Sequence, residues 1–107
     1  MSVYIVIESR VKDARKYGQY VSQVPGIVAK HGGRYLVRGG KVTTLLDGRW
    51  VPERMIVLEF PTEERVREWL SSPEYQAIAP LREEGAEIRA VLLEGYAEED
   101  GDRIVPC

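Results

Sequence analysis

The sequence has little of the two residues that most often bind metals or form cross-links. Its 107 residues contain one cysteine, Cys107, and one histidine, His31. A single cysteine cannot form a disulfide within the chain, and this usage is typical of the reducing cytoplasm. One histidine without HxxxH or CxxC spacing predicts no metal site. Gly39-Gly40 lacks the context of a phosphate-binding loop, so we expect no bound cofactor.

Excess charge of one sign and long apolar runs are also lacking. The chain carries 15 Lys and Arg residues against 17 Asp and Glu residues, a net charge of −2. Residues 97–107 hold four acidic residues and one basic residue, so residues 1–96 balance 14 basic against 13 acidic residues. This nearly neutral body argues against a nucleic-acid partner. With no leader-like segment and no run long enough to cross a bilayer, we expect a cytoplasmic chain without a membrane partner.

The most informative stretch runs from His31 to Gly40, where a glycine pair stands on each side of a short alternating segment. Glycine pairs favour sharp turns, so they predict a helix end before the segment and a turn after it. Period-2 alternation across residues 34–38 predicts a strand. The alternation places Tyr35 and Val37 on one face of the sheet, and the opposite face receives Arg34, Leu36 and Arg38.

The segments on both sides of this stretch alternate between strand and helix patterns. Residues 3–7 form an apolar, β-branched run that predicts a buried strand. Asp13 is a candidate N-cap for a helix that we expect to break at Pro25-Gly26, where Pro25 starts a short second turn through Lys30. Asp47-Gly48 predicts a β-hairpin that joins residues 41–46 to a long strand over residues 49–60.

The last third of the chain predicts a helix in two pieces and a final strand. Thr62 is the candidate N-cap of the first piece, and Ser72-Pro73 has the pattern of a second helix start. Residues 87–96 predict the closing strand. The composition indicates one domain over residues 1–96, followed by a solvated acidic tail over residues 97–107.

The resulting order, βαββαβ with an inserted β-hairpin, is that of a ferredoxin-like α+β sandwich. Such a sheet is antiparallel and carries both helices on one face. We expect the other face to be covered by a second copy of the chain, because it is too apolar for water. The apolar positions assigned to that face include Tyr4, Val6, Val57 and Leu92.

Two side chains are candidates for acid–base catalysis. His31 titrates nearest to neutral pH, but at a helix end its charge equally favours the helix dipole. Glu59 is an acid inside an apolar strand, where burial would raise its pKa and equip it as a general base. Its structural alternative is an ion pair with Arg38.

The candidate ligand-binding side chains are arginines and tyrosines. Arg38 and Arg34 lie roughly 13 Å apart along a strand, so they cannot grip one small carboxylate side by side. The alternative for Arg34 is simple solvation. Tyrosines supply hydroxyls and flat apolar surface, although such residues at helical spacing also build cores. The tyrosines that we assign to the site are Tyr20, Tyr35 and Tyr75.

Three motifs together resemble the family called domain of unknown function 1330. They are the stretch from His31 to Gly40, then Glu59-Phe60-Pro61, then Ser72 to Gln76, and the similarity extends over roughly residues 3–96. The hairpin segment 41–52 and the acidic tail depart from the family pattern.

The resemblance implies membership of the dimeric α/β-barrel superfamily, in which two ferredoxin-like protomers form a barrel from their sheets. That superfamily includes cofactor-free monooxygenases, lactone isomerases, haem enzymes and stress-response proteins, so the fold selects no chemistry. We expect a homodimer that binds a small polar or anionic organic molecule between helices and sheet, with or without cofactor-free catalysis. The alternative is a structural or regulatory homodimer without turnover.

Overall fold

The computed structural model describes residues 2–96, and the predicted acidic tail with Cys107 lies outside them. The chain forms four strands and three helices in the predicted order, with the second helical region in two pieces. The elements are β1 (Val3–Val11), α1 (Ala14–Lys30), β2 (Arg34–Arg38), β3 (Arg54–Phe60), α2 (Glu63–Ser71), α3 (Pro73–Gly85) and β4 (Ala86–Glu94).

The strands form one antiparallel sheet in the order β2-β3-β1-β4. This is the ferredoxin-like α+β topology, so the predicted fold class is confirmed. Strand alternation gives the sheet two different faces. Ile5 is paired with Leu58 and with Leu92, and these three side chains face the helices. The assignment of Leu92 to the opposite face is therefore wrong, and its neighbours Val91 and Leu93 lie there instead.

The core lies between the helix-facing side of the sheet and the three helices. Phe60 is fully buried, and its ring stacks on Trp69 of α2 with 5.3 Å between ring centroids. Leu58 and Val28 are each 1% exposed. Gly33 allows this packing, because a Cβ at that position would lie 2.6 Å from the Phe60 ring. The preceding Gly32, with φ of 83°, ends the turn after α1 as its glycine pair predicts.

Helix α1 begins as predicted and runs to Lys30 without the predicted break. The Asp13 side chain accepts hydrogen bonds from the backbone N–H groups of Arg15 and Lys16, at 3.1 and 3.2 Å. The prediction that Pro25-Gly26 breaks the helix is wrong, because α1 continues through Pro25 to Lys30. A proline within a helix removes one N–H and leaves the carbonyl four residues earlier without its partner. Here that carbonyl belongs to Val21, and Arg38 of β2 donates its Nη2 to it at 3.0 Å.

The predicted hairpin between β2 and β3 does not form. Residues 39–53 contain no strand, and β3 begins at Arg54 instead of residue 49. Asp47 takes a positive φ of 52°, and its carboxylate accepts the Arg49 N–H at 3.2 Å, which makes a local turn instead of a strand ladder. Leu45 and Leu46 are 87% and 86% exposed, so no buried face fixes a strand register.

Helices α2 and α3 begin at the predicted caps. The Thr62 hydroxyl accepts the Arg65 N–H at 3.2 Å, and the Ser72 hydroxyl accepts the Tyr75 N–H at the same distance. Pro73 occupies the start of α3, where its missing N–H costs nothing. These caps place Trp69 and Tyr75 against the sheet, where both are buried.

Candidate functional site

A cavity of about 560 Å³ lies between the helices and the helix-facing side of the sheet. This volume is within the ordinary range for small-molecule sites. Most of the wall is apolar and comes from strands β1, β3 and β4 and from α1 and α2. The phenolic and charged groups on it belong to three residue types. These are the phenols of Tyr17, Tyr20, Tyr35 and Tyr75, and the guanidinium-bearing residues Arg38, Arg54, Arg67 and Arg82, together with Glu63.

The tyrosines form a connected cluster. The rings of Tyr17 and Tyr20, one helical turn apart on α1, stack with 5.9 Å between centroids. The hydroxyls of Tyr20 and Tyr75 lie 3.0 Å apart, and Arg82 donates Nη1 to the Tyr75 oxygen at 2.7 Å. The Tyr17 oxygen accepts a hydrogen bond from the buried Ser9 hydroxyl at 2.9 Å.

The environment keeps two of these phenols protonated. Burial is the main cause that raises the pKa of Tyr20, and the nearby Tyr75 adds to it. Burial also raises the pKa of Tyr35, although the positive charge of Arg38 acts in the opposite direction. Both phenols carry their proton at neutral pH, and the Tyr20 hydroxyl shares its hydrogen bond with Tyr75. The Tyr35 hydroxyl makes no hydrogen bond to any residue between 2 and 96.

Each of three arginines lies against a tyrosine ring. The Arg38 guanidinium is 5.2 Å from the Tyr35 centroid. The corresponding distance is 5.8 Å both for Arg54 on Tyr17 and for Arg82 on Tyr75. At these separations the cation is attracted to the ring quadrupole, and the ring restricts where the guanidinium can move. The tyrosine cluster thus positions positive charge around the cavity.

A β-bulge brings Arg38 to the tyrosine face. Tyr35 pairs with Leu58, and Val37 pairs with Val57, so Leu36 is an extra residue in β2. Beyond the bulge the facing is inverted, and Arg38 lies opposite Ile56 on the helix-facing side. The prediction that Tyr35 and Arg38 occupy opposite faces is therefore wrong. A bulge belongs to the pairing of two strands, which uniform alternation along one strand does not describe.

Arg54 reaches its position because of a glycine. At Gly39, with φ of 72°, an added Cβ would lie 2.6 Å from Nη1 of Arg54 and 2.7 Å from its Cζ. The turn after β2 therefore leaves the space that this guanidinium occupies. Its Nε is buried and has no hydrogen-bond partner within the part of the chain that the structure describes.

The structure brings together four of the seven predicted site residues. Arg38, Tyr20, Tyr35 and Tyr75 line the same cavity. His31 does not line the cavity. It is the C-cap residue of α1, and its Nδ1 lies 2.8 Å from the Ile27 carbonyl oxygen.

Glu59 and Arg34 lie together on the opposite, open face of the sheet. Arg34 donates Nε to Glu59 at 2.6 Å, and the Tyr4 hydroxyl donates to the same carboxylate at 3.2 Å. The hydrogen bond from Arg34 is the main cause that lowers the pKa of Glu59. This direction is opposite to the rise that burial was expected to produce. The alternative ion pair of Glu59 with Arg38 does not form.

Sequence reasoning missed Arg54 and Arg82. Arg54 has a detectable signal, because it is two residues before Ile56 in β3 and alternation places both on the helix-facing side. Arg82 stands seven residues after Tyr75 on α3, a spacing of about two helical turns. A search for cations on core-facing positions would have found both residues.

Residues 2–96 offer neither a metal site nor a membrane span. No group of three or more His, Cys, Asp or Glu side chains is placed to hold a metal ion there. No helix in that range combines the length and apolar character needed to span a membrane.

The topology and the cavity define an α+β protein of the ferredoxin-like class. The family model described as domain of unknown function (DUF1330) matches residues 2–96. The chain belongs to this family, as the three sequence motifs indicate. A search among curated proteins finds no match.

Solved structures with this fold include proteins of different descriptions. A protein of unknown function from Rhodopseudomonas palustris is 14% identical, with a TM-score of 0.76 over 90% of this chain and 83% of that one. SnoaB, a cofactor-independent oxygenase from Streptomyces nogalater, is 15% identical, with a TM-score of 0.61 over 90% and 94% of the two chains. A dimeric protein of unknown function and ferredoxin-like fold from Bacteroides fragilis is 15% identical, with a TM-score of 0.52 over 88% and 96%. At these identities the likeness shows the fold alone.

Proposed function

We propose that the protein binds a small polar or anionic organic molecule in the cavity between its helices and sheet. The observation that carries this proposal is the cavity itself, about 560 Å³ with an apolar wall and inward-facing phenols and guanidiniums. Arg38, Tyr20, Tyr35 and Tyr75 are the proposed ligand-binding residues. Catalysis by His31 and Glu59 stays a prediction, and their positions outside the cavity give it no support.

Two fluorescent probes test the cavity, neutral N-phenyl-1-naphthylamine and anionic 1-anilinonaphthalene-8-sulfonate. We expect at least one to bind saturably, with one molecule per chain. Val21→Phe adds volume at a cavity-lining position of α1 and should abolish that binding. The matched control is Ser22→Phe, at the exposed neighbouring position, which should bind like the wild type. Equal binding by both variants, or no saturable binding by the wild type, would contradict the proposal.

We also propose that the open face of the sheet is the surface of a homodimer. Three apolar side chains on this face, Val37, Val91 and Leu93, are 44%, 58% and 51% exposed. The dimeric description of the Bacteroides fragilis protein supports the same arrangement. Sedimentation should give twice the chain mass for the wild type and the single mass for Val91→Lys. Leu45→Lys, in the exposed 39–53 loop, should remain dimeric, and a monomeric wild type would refute the proposal.

A structural dimer without turnover is the second candidate function. It is favoured by the contacts of Ser9 with Tyr17 and of Tyr20 with Tyr75 and Arg82, which satisfy one another without a ligand. A dimer that fails to bind either probe would support this candidate. Cofactor-free turnover and a cytoplasmic location stay predictions. Only the fold is shared with the Streptomyces nogalater oxygenase.

A further inference from the structure

The cavity contains positive charge that residues 2–96 do not neutralise. Glu63 is the one carboxylate on the wall within the described range, and Arg67 already binds it, with Nε at 2.9 Å. Neither Arg38 nor Arg54 forms an ion pair with any residue between 2 and 96. Arg82 forms an ion pair with the exposed Glu83, but the distance from Nη2 to the carboxylate oxygen is long, 3.5 Å.

Arg54 is the least satisfied of these cations. Its guanidinium makes no hydrogen bond to residues 2–96, and its Nε is buried. A charged donor removed from water without an acceptor costs free energy, because it loses its hydration and gains nothing in return. Contact with the Tyr17 ring offsets only a part of that cost. An acceptor supplied from outside the chain would therefore bind favourably here.

The arginines on the cavity wall supply hydrogen-bond donors alone, whereas its phenols can both donate and accept. Guanidiniums cannot accept hydrogen bonds, and burial keeps Tyr20 and Tyr35 protonated. Tyr35, whose hydroxyl makes no hydrogen bond within residues 2–96, lines the same cavity as Arg38 and Arg54, and the Arg38 guanidinium is 5.2 Å from the centroid of its ring. A ligand that only accepts hydrogen bonds fits this wall, whereas an amine would meet like charge.

The remaining wall selects the rest of the ligand. Val24 and Ile56 are 4% and 5% exposed, and Trp69 contributes an aromatic surface. These apolar groups disfavour a small hydrated ion, because they offer no polar atoms that could replace its hydration shell. The guanidinium fork matches the two oxygens of a carboxylate in one plane.

We infer that the ligand is an organic carboxylate on an apolar body, with the carboxylate received by Arg54 and Arg38 and the Tyr35 hydroxyl. The inference rests on the proposed function and adds the class of ligand. Arg38, exposed at the cavity's edge, attracts the anion, and the partly buried Arg54 holds it. Because Arg38 also donates to Val21, its fork is held in place before a ligand arrives.

Calorimetric titration with matched compounds tests the ligand class. The probes are 2-naphthoate, the neutral 2-naphthamide and the cationic 2-naphthylmethylamine, with octanoate and octanamide as an aliphatic pair. We expect at least one carboxylate to bind about tenfold or more tightly than its own amide, a ratio equal to one charge-assisted hydrogen bond. The amine should not bind measurably.

Variants of the two cations test the position of the carboxylate. Arg54→Lys keeps the charge but loses the fork, so the affinity for the carboxylate should fall about tenfold while that for the amide is unchanged. Arg38→Lys, at an exposed position, should also weaken carboxylate binding and leave amide binding unchanged. If Arg54→Lys does not fold, Arg38→Lys alone tests the position of the carboxylate. Arg65→Lys is the control, because Arg65 pairs with Glu68 outside the cavity.

The outcomes separate this inference from the proposed function. Carboxylate and amide binding equally would overturn the inference and leave cavity binding intact. The same holds if the neutral fluorescent probe binds and both carboxylates do not. Carboxylate binding that is unaffected by Arg54→Lys and Arg38→Lys would overturn the assigned position. Failure of every probe, neutral ones included, would instead remove the proposed function.

Discussion

The two faces of the sheet treat polar groups in different ways. On β3, Leu58 faces the helices and is 1% exposed, whereas its neighbours Val57 and Glu59 face away from them and are partly exposed. Polar groups on the covered face are phenols and guanidiniums, which carry broad apolar or π surfaces. On the open face, Glu59 pairs with Arg34 and Glu8 pairs with Arg89 at the edge of water. The covered face therefore holds two guanidiniums, Arg38 and Arg54, that no carboxylate within residues 2–96 neutralises, whereas these arginines of the open face have carboxylate partners.

The largest difference between the faces should appear in the free energy of unfolding. Leu58→Ala removes a fully buried side chain and should cost about 2–5 kcal/mol, from lost burial and the cavity that remains. Val57→Ala should cost less than about 1 kcal/mol at protein concentrations where the chain is monomeric. Urea unfolding at two protein concentrations checks both values. A growing cost of Val57→Ala alone at high concentration would sharpen the comparison, and equal costs at all concentrations would break it.

A smaller effect should distinguish two tyrosines of the covered face. Tyr75→Phe leaves Arg82 Nη1 and the Tyr20 hydroxyl without their partner, and should cost about 1–3 kcal/mol of unfolding free energy. Tyr35→Phe removes a hydroxyl that makes no hydrogen bond within residues 2–96, and should change stability by about 0.5 kcal/mol or less. Urea midpoints with unchanged slopes would measure both. Equal costs would mean that the hydroxyl pair contributes nothing.

The smallest effect concerns the acids of the open face. Arg34 lowers the pKa of Glu59, so this pair contributes stability above the carboxyl's ordinary pKa of 4.5. That contribution is lost as the pH falls through the lower folded-state pKa. Glu59→Gln should therefore be slightly less stable than the wild type near neutral pH, and the difference should vanish in strong acid. Glu87→Gln is the control, because Glu87 is exposed on β4 and forms no ion pair with any residue from 2 to 96. A difference that persists in strong acid would contradict the assigned cause.

The order of elements was predictable because each depends on short-range chemistry. Asp13, Thr62 and Ser72 cap their helices through side chains next to the residues they cap, so local sequence contains the signal. The hairpin prediction failed because residues 41–51 are apolar enough for a strand but find no partner strand. The continuation of α1 through Pro25 was missed because Arg38, from another element, replaces the lost hydrogen bond.

The site was predictable where residue type and facing agreed. Tyr20 and Tyr75 lie on the core-facing sides of their helices, and both line the cavity. His31 and Glu59 were selected for their intrinsic chemistry alone, which says nothing about which surface they share. Arg54 was not among the predicted site residues, because residue type alone does not show that its guanidinium packs against Tyr17 and Gly39. Its position became clear only with Gly39 folded against it.

The extra residue in β2 reverses the direction in which the later side chains of that strand point. Val37 and Arg38 each lie on the face opposite to the one that uniform alternation would give them. Tyr35 and Arg38 therefore share the helix-facing side because β2 has one extra residue, whatever the type of that residue. Substitution at position 36 is then cheap, whereas deleting it would turn Arg38 out toward the open face.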